Sequence, residues 1–229
     1  MVTSTYGLYP GLADIAMTAT ERTVSESTSS NYDYYVDTNT YKAVKETVRK
    51  YYKYNERTYS QPTLTSNESD TLSVSSVGWN SNSPTYYAFD GNLSTILKSA
   101  QITQYPYVNL YFLNPVTLTK VTCINGYDAW DIFGFVQFAV SGIDDSNNKI
   151  VLGASSIVTP ADGQSVECSL SSSQKFKKIE IQFACSNYNG YQAAVKEIYL
   201  TGNEFVPVES TSSDYDYYVD IDTYKAVKI

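Results

Sequence analysis

The sequence predicts an all-β fold: one antiparallel β-sandwich of jelly-roll type over residues 63–203, set between extended tyrosine-rich β-hairpin arms at 1–62 and 204–229. Three observations predict it. Apolar and polar residues alternate with period two in run after run between 63 and 202. Gly, Asn, Asp, Ser and Pro separate those runs, and no convincing run of helical period interrupts them. Outside that stretch the composition changes, with 14 of the 23 tyrosines in the 89 flanking residues.

Taken in chain order, residues 1–26 are small and polar and read as an extended arm. The phrase STSSNYDYYVDTNTYKAVK at 27–45 returns as STSSDYDYYVDIDTYKAVK at 210–228, with sixteen of nineteen positions identical. In the first copy, β-prone Tyr34–Val36 and Tyr41–Val44 flank Asp37-Thr38-Asn39, the pattern of a short hairpin. A lone two-stranded hairpin is marginal in water, so each copy needs a partner surface: the adjoining domain, another subunit or another protein. A duplicated linker and a docking or oligomerisation hairpin are both open readings, since an exposed tyrosine-rich edge is a template for β-pairing. Residues 46–61 stay open between a strand and a short helix.

Inside 63–203, Val108, Leu110 and Phe112 alternate with Asn109 and Tyr111. Val136, Phe138 and Val140 form a second series, Ile179, Ile181 and Phe183 a third, and Ile198 with Leu200 a fourth. Asn114-Pro115, Asp145–Asn148 and Asp162-Gly163 read as turns. Cys168 alternates with Val166 and Leu170, and Cys185 continues the face of Ile179, so both read as core residues. With three cysteines, no Cys-x-x-Cys and no histidine, a Cys/His zinc site is excluded and no disulfide framework is implied. Such thiols suit folding in a reducing cytoplasm.

The net charge of −8 is uneven: seven basic and seven acidic residues in 1–62, seven and eleven in 63–202, two and six in 203–229. An acidic chain without a basic stripe argues against nucleic acid and against anionic membrane surfaces. No apolar run reaches the length of a membrane span, so no membrane insertion is expected. The first twenty residues lack the basic and apolar regions of a secretory signal, which suggests another export route or departure inside a larger particle.

Five stretches in order carry a family resemblance: YAFDGNLSTILKS (87–99), YPYVNLYFLNPVTLTKVT (105–122), FVQFAVSGIDDSNN (135–148), KFKKIEIQF (175–183) and AAVKEIYLTG (193–202). Together they resemble the discoidin-like domain, the galactose-binding-like module of coagulation factors and of many carbohydrate-binding modules, over about 60% of the chain. The departures are Leu97 and Tyr107 where the family has tryptophans, and no cysteine at the domain ends for its frequent disulfide. Large apolar residues replace large apolar residues, so the fold tolerates the changes.

The resemblance implies a structural Ca2+ on Asp90, Asn92, Thr95 and Glu197. The chemistry is coherent: calcium takes several carboxylate and carbonyl oxygens, and Gly91 lets the backbone turn them inward. The plainer reading is a hydrogen-bonded Asx turn beside an ordinary strand glutamate. The resemblance also places a ligand surface on loops at one end of the sandwich. Here these loops carry Trp79, Asn80, Asn82, Tyr127, Asp128, Trp130, Asp131, Tyr188, Asn189 and Tyr191, including both tryptophans of the protein. Aromatic faces with amides and carboxylates are the mix that recognises sugars, so glycans are the expected partners. The plainer reading is that these aromatics cap the sandwich or pack on the arms.

An enzyme is not expected. Asp128 and Asp131 share a loop but read as hydroxyl acceptors; there is no histidine, no G-x-S-x-G and no P-loop. The expectation is a non-catalytic carbohydrate-binding attachment module on a virion, for instance a bacteriophage fibre or decoration protein, or on an extracellular surface. The alternatives are a structural virion assembly component, whose β-domain is a spacer and whose hairpins dock, and a bacterial surface adhesin.

Overall fold

A computed structural model describes residues 34–37, 42–45, 49–100, 105–126, 134–185, 192–211, 213–220 and 225–228. Contacts divide the chain into two units, 1–50 with 219–227 and 51–218 with 228–229. In the first unit, β1 (Tyr34–Asp37) pairs antiparallel with β2 (Lys42–Lys45), Tyr34 opposite Lys45 and Asp37 opposite Lys42. The two strands bracket the predicted turn, and each lies within a residue of its expected bounds.

The remaining strands are β3 (Arg49–Thr58), β4 (Leu72–Val77), β5 (Leu97–Lys98), β6 (Tyr107–Asn125), β7 (Phe135–Ile143), β8 (Lys149–Ala154) and β9 (Ser165–Ser169). They are followed by β10 (Phe176–Cys185), β11 (Ala194–Ser210), β12 (Tyr217–Asp220) and β13 (Lys225–Lys228). The one helical element among the described residues is a 3-10 turn at Thr85–Phe89. The all-β expectation holds.

β6 is the spine of the second unit. Its first half lies between β4 and β10, with Leu110 opposite both Val74 and Ile179. Its second half lies between β9 and β11, with Val121 opposite both Cys168 and Leu200. All of these pairings are antiparallel. A strand that changes sheets in mid-course is how a sandwich turns its corner. Asn114-Pro115, read from the sequence as a turn, instead lies inside β6 at the exchange of partners: Phe112 still faces Leu72, and Val116 already faces Glu204. Proline has no N–H to give to a ladder, so it fits where pairing lapses. The other two turn readings stand, with Asn147 at φ 65° and Gly163 at φ 70°.

Within the open segment 46–61, Arg49–Thr58 forms a strand. β3 pairs residue for residue with β11, from Asn203 opposite Thr58 to Ser210 opposite Tyr51. A ready sheet edge settles what local propensity left undecided. Between the layers, the rings of Phe135, Phe138 and Phe183 meet at 5.2–5.9 Å. Leu110, Val121, Ile179, Ile181 and Ile198 are fully buried beside them. Gly202 sits where the β11–β6 register shifts, and a Cβ there would lie 2.2 Å from the Thr117 carbonyl oxygen. Cys123, Cys168 and Cys185 are buried thiols, as the alternation predicted for the last two.

Candidate functional site

Four predicted loops leave the sandwich from stumps that are hydrogen-bonded to one another. Ser99 N–H donates to the Ala193 carbonyl at 2.8 Å, and Ala193 N–H donates to Ser99 Oγ at 2.7 Å. This pair joins the base of the 99–106 loop to that of the 186–192 loop. Ala100 N–H donates to the Gly78 carbonyl at 2.8 Å, which brings in the loop that holds Trp79. Gly126 N–H donates to the Ala194 carbonyl at 2.9 Å, and Cys185 pairs with Phe135, which brings in the 126–134 loop. The arrangement gathers the bases of all four loops at one end of the sandwich.

Of the predicted ligand residues, Trp79 is half-buried. Its indole N–H donates to the Tyr107 carbonyl at 3.0 Å, and its ring stands edge-on to Phe183 at 5.6 Å. Part of its surface is thus committed to the scaffold, and its N–H serves the backbone. Asn80 and Asn82 are exposed, and Asn80 Oδ1 accepts from Asn82 N–H at 2.9 Å in an Asx turn. Tyr127, Asp128, Trp130, Asp131, Tyr188, Asn189 and Tyr191 lie outside the described residues.

Sequence reasoning missed the clamp under these loops. Asn125 is fully buried; its amide donates to the Phe135 carbonyl at 2.9 Å, and its Oδ1 accepts from Phe135 N–H at 3.2 Å. The two ends of the 126–134 loop are thereby tied by one side chain. Asn before Gly ordinarily signals an exposed turn, so nothing local betrayed the burial.

The predicted metal-loop residues do come together. Thr95 Oγ1 lies 2.9 and 3.0 Å from the two Asp90 carboxylate oxygens and 2.7 Å from the Asn92 carbonyl. Asn92 N–H donates to Asp90 Oδ1 at 2.8 Å, so the Asx turn of the plainer reading is present. Glu197 joins through Gly91, whose N–H donates to Glu197 Oε2 at 3.0 Å. Gly91 has φ +69°, the left-handed conformation that glycine adopts without strain. Burial pushes the Glu197 carboxyl up to about 7, the nearby Asp90 carboxylate adds to the rise, and the Gly91 N–H works against it. Among the described residues no three His, Cys, Asp or Glu side chains group together, so a cation here would draw on two carboxylates and on backbone oxygen. Hard oxygen donors carrying two negative charges, one of them buried, fit a divalent cation of the calcium type.

Beside Glu197 lies a cleft of about 340 Å³ lined by Gln61, Thr63, Phe89, Tyr199 and Leu200. Gln61 closes one wall: its amide donates to the Ile198 carbonyl, and its Oε1 accepts from Leu200 N–H, both at 2.7 Å.

No protein-family description and no curated protein matches the chain. Solved structures do. The chain is similar to the third family 32 carbohydrate-binding module of a family 31 glycoside hydrolase from Clostridium perfringens, with 11% identity, TM-score 0.47, 58% of this chain and 91% of that one covered. It is similar to the family 32 module of NanJ from C. perfringens, solved with galactose, with 12% identity, TM-score 0.43 and 59% and 93% covered. It is also similar to a chain holding two family 32 modules and the M60 catalytic domain of C. perfringens ZmpB, with 18% identity, TM-score 0.49 and 60% covered. It spans 15% of that chain. Nothing about this chain's ligand follows from identities and scores so low.

Proposed function

We propose that this chain is a non-catalytic glycan-binding module whose ligand face is the end of the sandwich where the four loops gather. The observation that carries the reading is the tied set of stumps: Ser99 with Ala193, Gly78 with Ala100, Gly126 with Ala194, and Asn125 across Phe135. Loops on a rigid sandwich are where binding groups concentrate. The loops that spring from these stumps bring both tryptophans with tyrosine, asparagine and aspartate, the chemistry of saccharide recognition. Trp130 is the stacking residue of choice, because the Trp79 N–H already serves the scaffold. The non-enzymatic role accords with solved neighbours described as carbohydrate-binding modules. Calcium held by Asp90, the Asn92 loop and Glu197, with Thr95 orienting Asp90, would supply rigidity next to Leu97 and Lys98, which lead into the loop end. Display on a virion or cell surface is the setting that suits such a module.

The test is a glycan array probed with the wild-type chain and with Trp130→Ala. Binding to a defined set of glycans, lost at least tenfold in the variant, is the expected result. No hits with the folded wild type, or equal binding by the variant, overturns the assignment of this face.

A further inference from the structure

The outer face of the sheet formed by β4, β6, β10 and β7 carries polar groups that the chain itself leaves unbonded. The register fixes which side chains share that face. Val74, Leu110, Ile179 and Val140 turn into the core, so their neighbours along each strand turn out. One row across the sheet runs Ser75, Asn109, Glu180, Ser141, each opposite the next. On one side of this row stand Tyr111 and Lys178, and on the other Tyr107 and Gln182. Glu180 is drawn toward the first side by its ion pair with Lys149. The row is thus the floor of a shallow trough, about 14 Å long over three strand spacings.

Two floor residues stand out. Asn109 is 7% and Ser141 3% exposed, so both lie low between taller neighbours. Neither the Asn109 amide nor the Ser141 hydroxyl bonds another group among the described residues. Both stay open to solvent, because the Tyr59 hydroxyl is the one fully buried side-chain polar atom without a partner among those residues. Asparagine is a poor strand former, yet Asn109 sits in mid-strand with β4 on one side and β10 on the other. A residue that breaks the local rule, lies nearly buried and bonds nothing in its own chain marks a functional position.

We propose that this trough is a second ligand face, separate from the loop end, and that it takes a glycan bearing a carboxylate. The floor offers an amide and hydroxyls, which exchange hydrogen bonds with sugar hydroxyls. Tyr107, half-buried, and Tyr111, exposed, present ring surface to sugar C–H groups from either side. Charge selects the acid. The Lys178 ammonium stands 5.5 Å over the Tyr111 ring and has no carboxylate partner among the described residues. In a chain of net charge −8, this is a cation without a counter-charge beside groups suited to sugars. A carboxylate on the ligand supplies its partner in a charge-assisted hydrogen bond. A nucleic-acid backbone is held through many phosphate contacts, which one free ammonium does not provide. A floor of amide, hydroxyl and carboxylate also lacks the desolvated anchors of a protein interface.

The test is an array of uronate- and sialate-bearing oligosaccharides, each printed beside its carboxyl-reduced counterpart and probed with full-length chains. Expected is binding to a subset of the acidic oligosaccharides and not to their reduced forms. Lys178→Ala and Asn109→Ala should each weaken it at least tenfold, and Lys178→Arg should keep it. All of these side chains face outward, so the melting temperature of the variants should not fall. In solution, the best acidic hit should shift the amide resonances of Asn109, Glu180 and Ser141 and leave Ser99 and Ala193, at the loop bases, in place. No acidic hit with the folded wild type, hits that Lys178→Ala and Asn109→Ala leave intact, or a shift map confined to the loop bases each overturns the second face. Binding that is lost in Trp130→Ala and kept in Lys178→Ala belongs to the loop end, so the two readings fail separately.

Discussion

Glu197 is the carboxyl that its surroundings push up from the ordinary carboxylate range. Its carboxyl is 1% exposed and held at about 7, against an ordinary value near 4.5. Between those values the folded state binds more protons than the unfolded chain, so stability falls as pH rises through the window. Two depressed carboxyls act on the other side. Asp144, bonded by Asn148, and Glu167, bonded by Lys120, contribute stability at neutral pH that is lost only as pH falls below the usual carboxylate range. In chelator, calorimetry between pH 4.5 and 7 should therefore show a declining melting temperature, equivalent to a loss on the order of 2–3 kcal/mol. Glu197→Gln should flatten the decline. Added Ca2+ should raise the wild-type melting temperature above pH 7, where Glu197 is mostly ionised, and should act weakly on the variant. A flat wild-type profile in chelator would refute the first part, and an indifferent wild type in calcium the second.

At the level of elements, the period-two runs were legible because each alternates on a buried face; Val108, Leu110 and Phe112 read correctly from sequence and are all buried. What was not legible depended on a distant partner. β3 needed the edge of β11, 145 residues on at the Thr58–Asn203 pair, to be a strand at all. Asn114-Pro115 carries turn residues, but here they mark the passage of β6 from one sheet to the other, a place no local window contains. The candidate site divides in the same way. Asp90, Asn92 and Thr95 were readable as one turn, whereas the clamp on Phe135 by Asn125 was not. That clamp gives the prediction at this scale. Asn125→Ala strands a buried N–H and a buried carbonyl of Phe135, at about 1–3 kcal/mol for each group left unpaired. The melting temperature should fall, and amide exchange at Phe135 and Gly134 should quicken relative to Val140 in the middle of β7. Unchanged exchange at Phe135 would show that the loop closes without the clamp.

The sandwich of the second unit keeps its three thiols out of reach. Burial holds the Cys123 thiol well above its ordinary range, raises Cys168, and pushes Cys185 up to about 12. The thiolate is the reactive form, so native thiols should be inert to maleimide even at mildly alkaline pH. Their positions differ in a way that reports on cooperativity. Cys123 on β6 and Cys168 on β9 sit on adjacent strands in the middle of one layer, 0% and 1% exposed. Cys185 ends β10 at the loop end of the fold, 8% exposed. Sub-global openings at loop ends cost less than opening the core. Site-resolved labelling over increasing urea should therefore find Cys185 modified first. Cys123 and Cys168 should follow together, in the transition that also abolishes the near-ultraviolet circular dichroism of the packed aromatics. Equal rates at all three sites would mean that the loop end opens only with the core, in which case the four tied stumps are as stable as the sandwich beneath them.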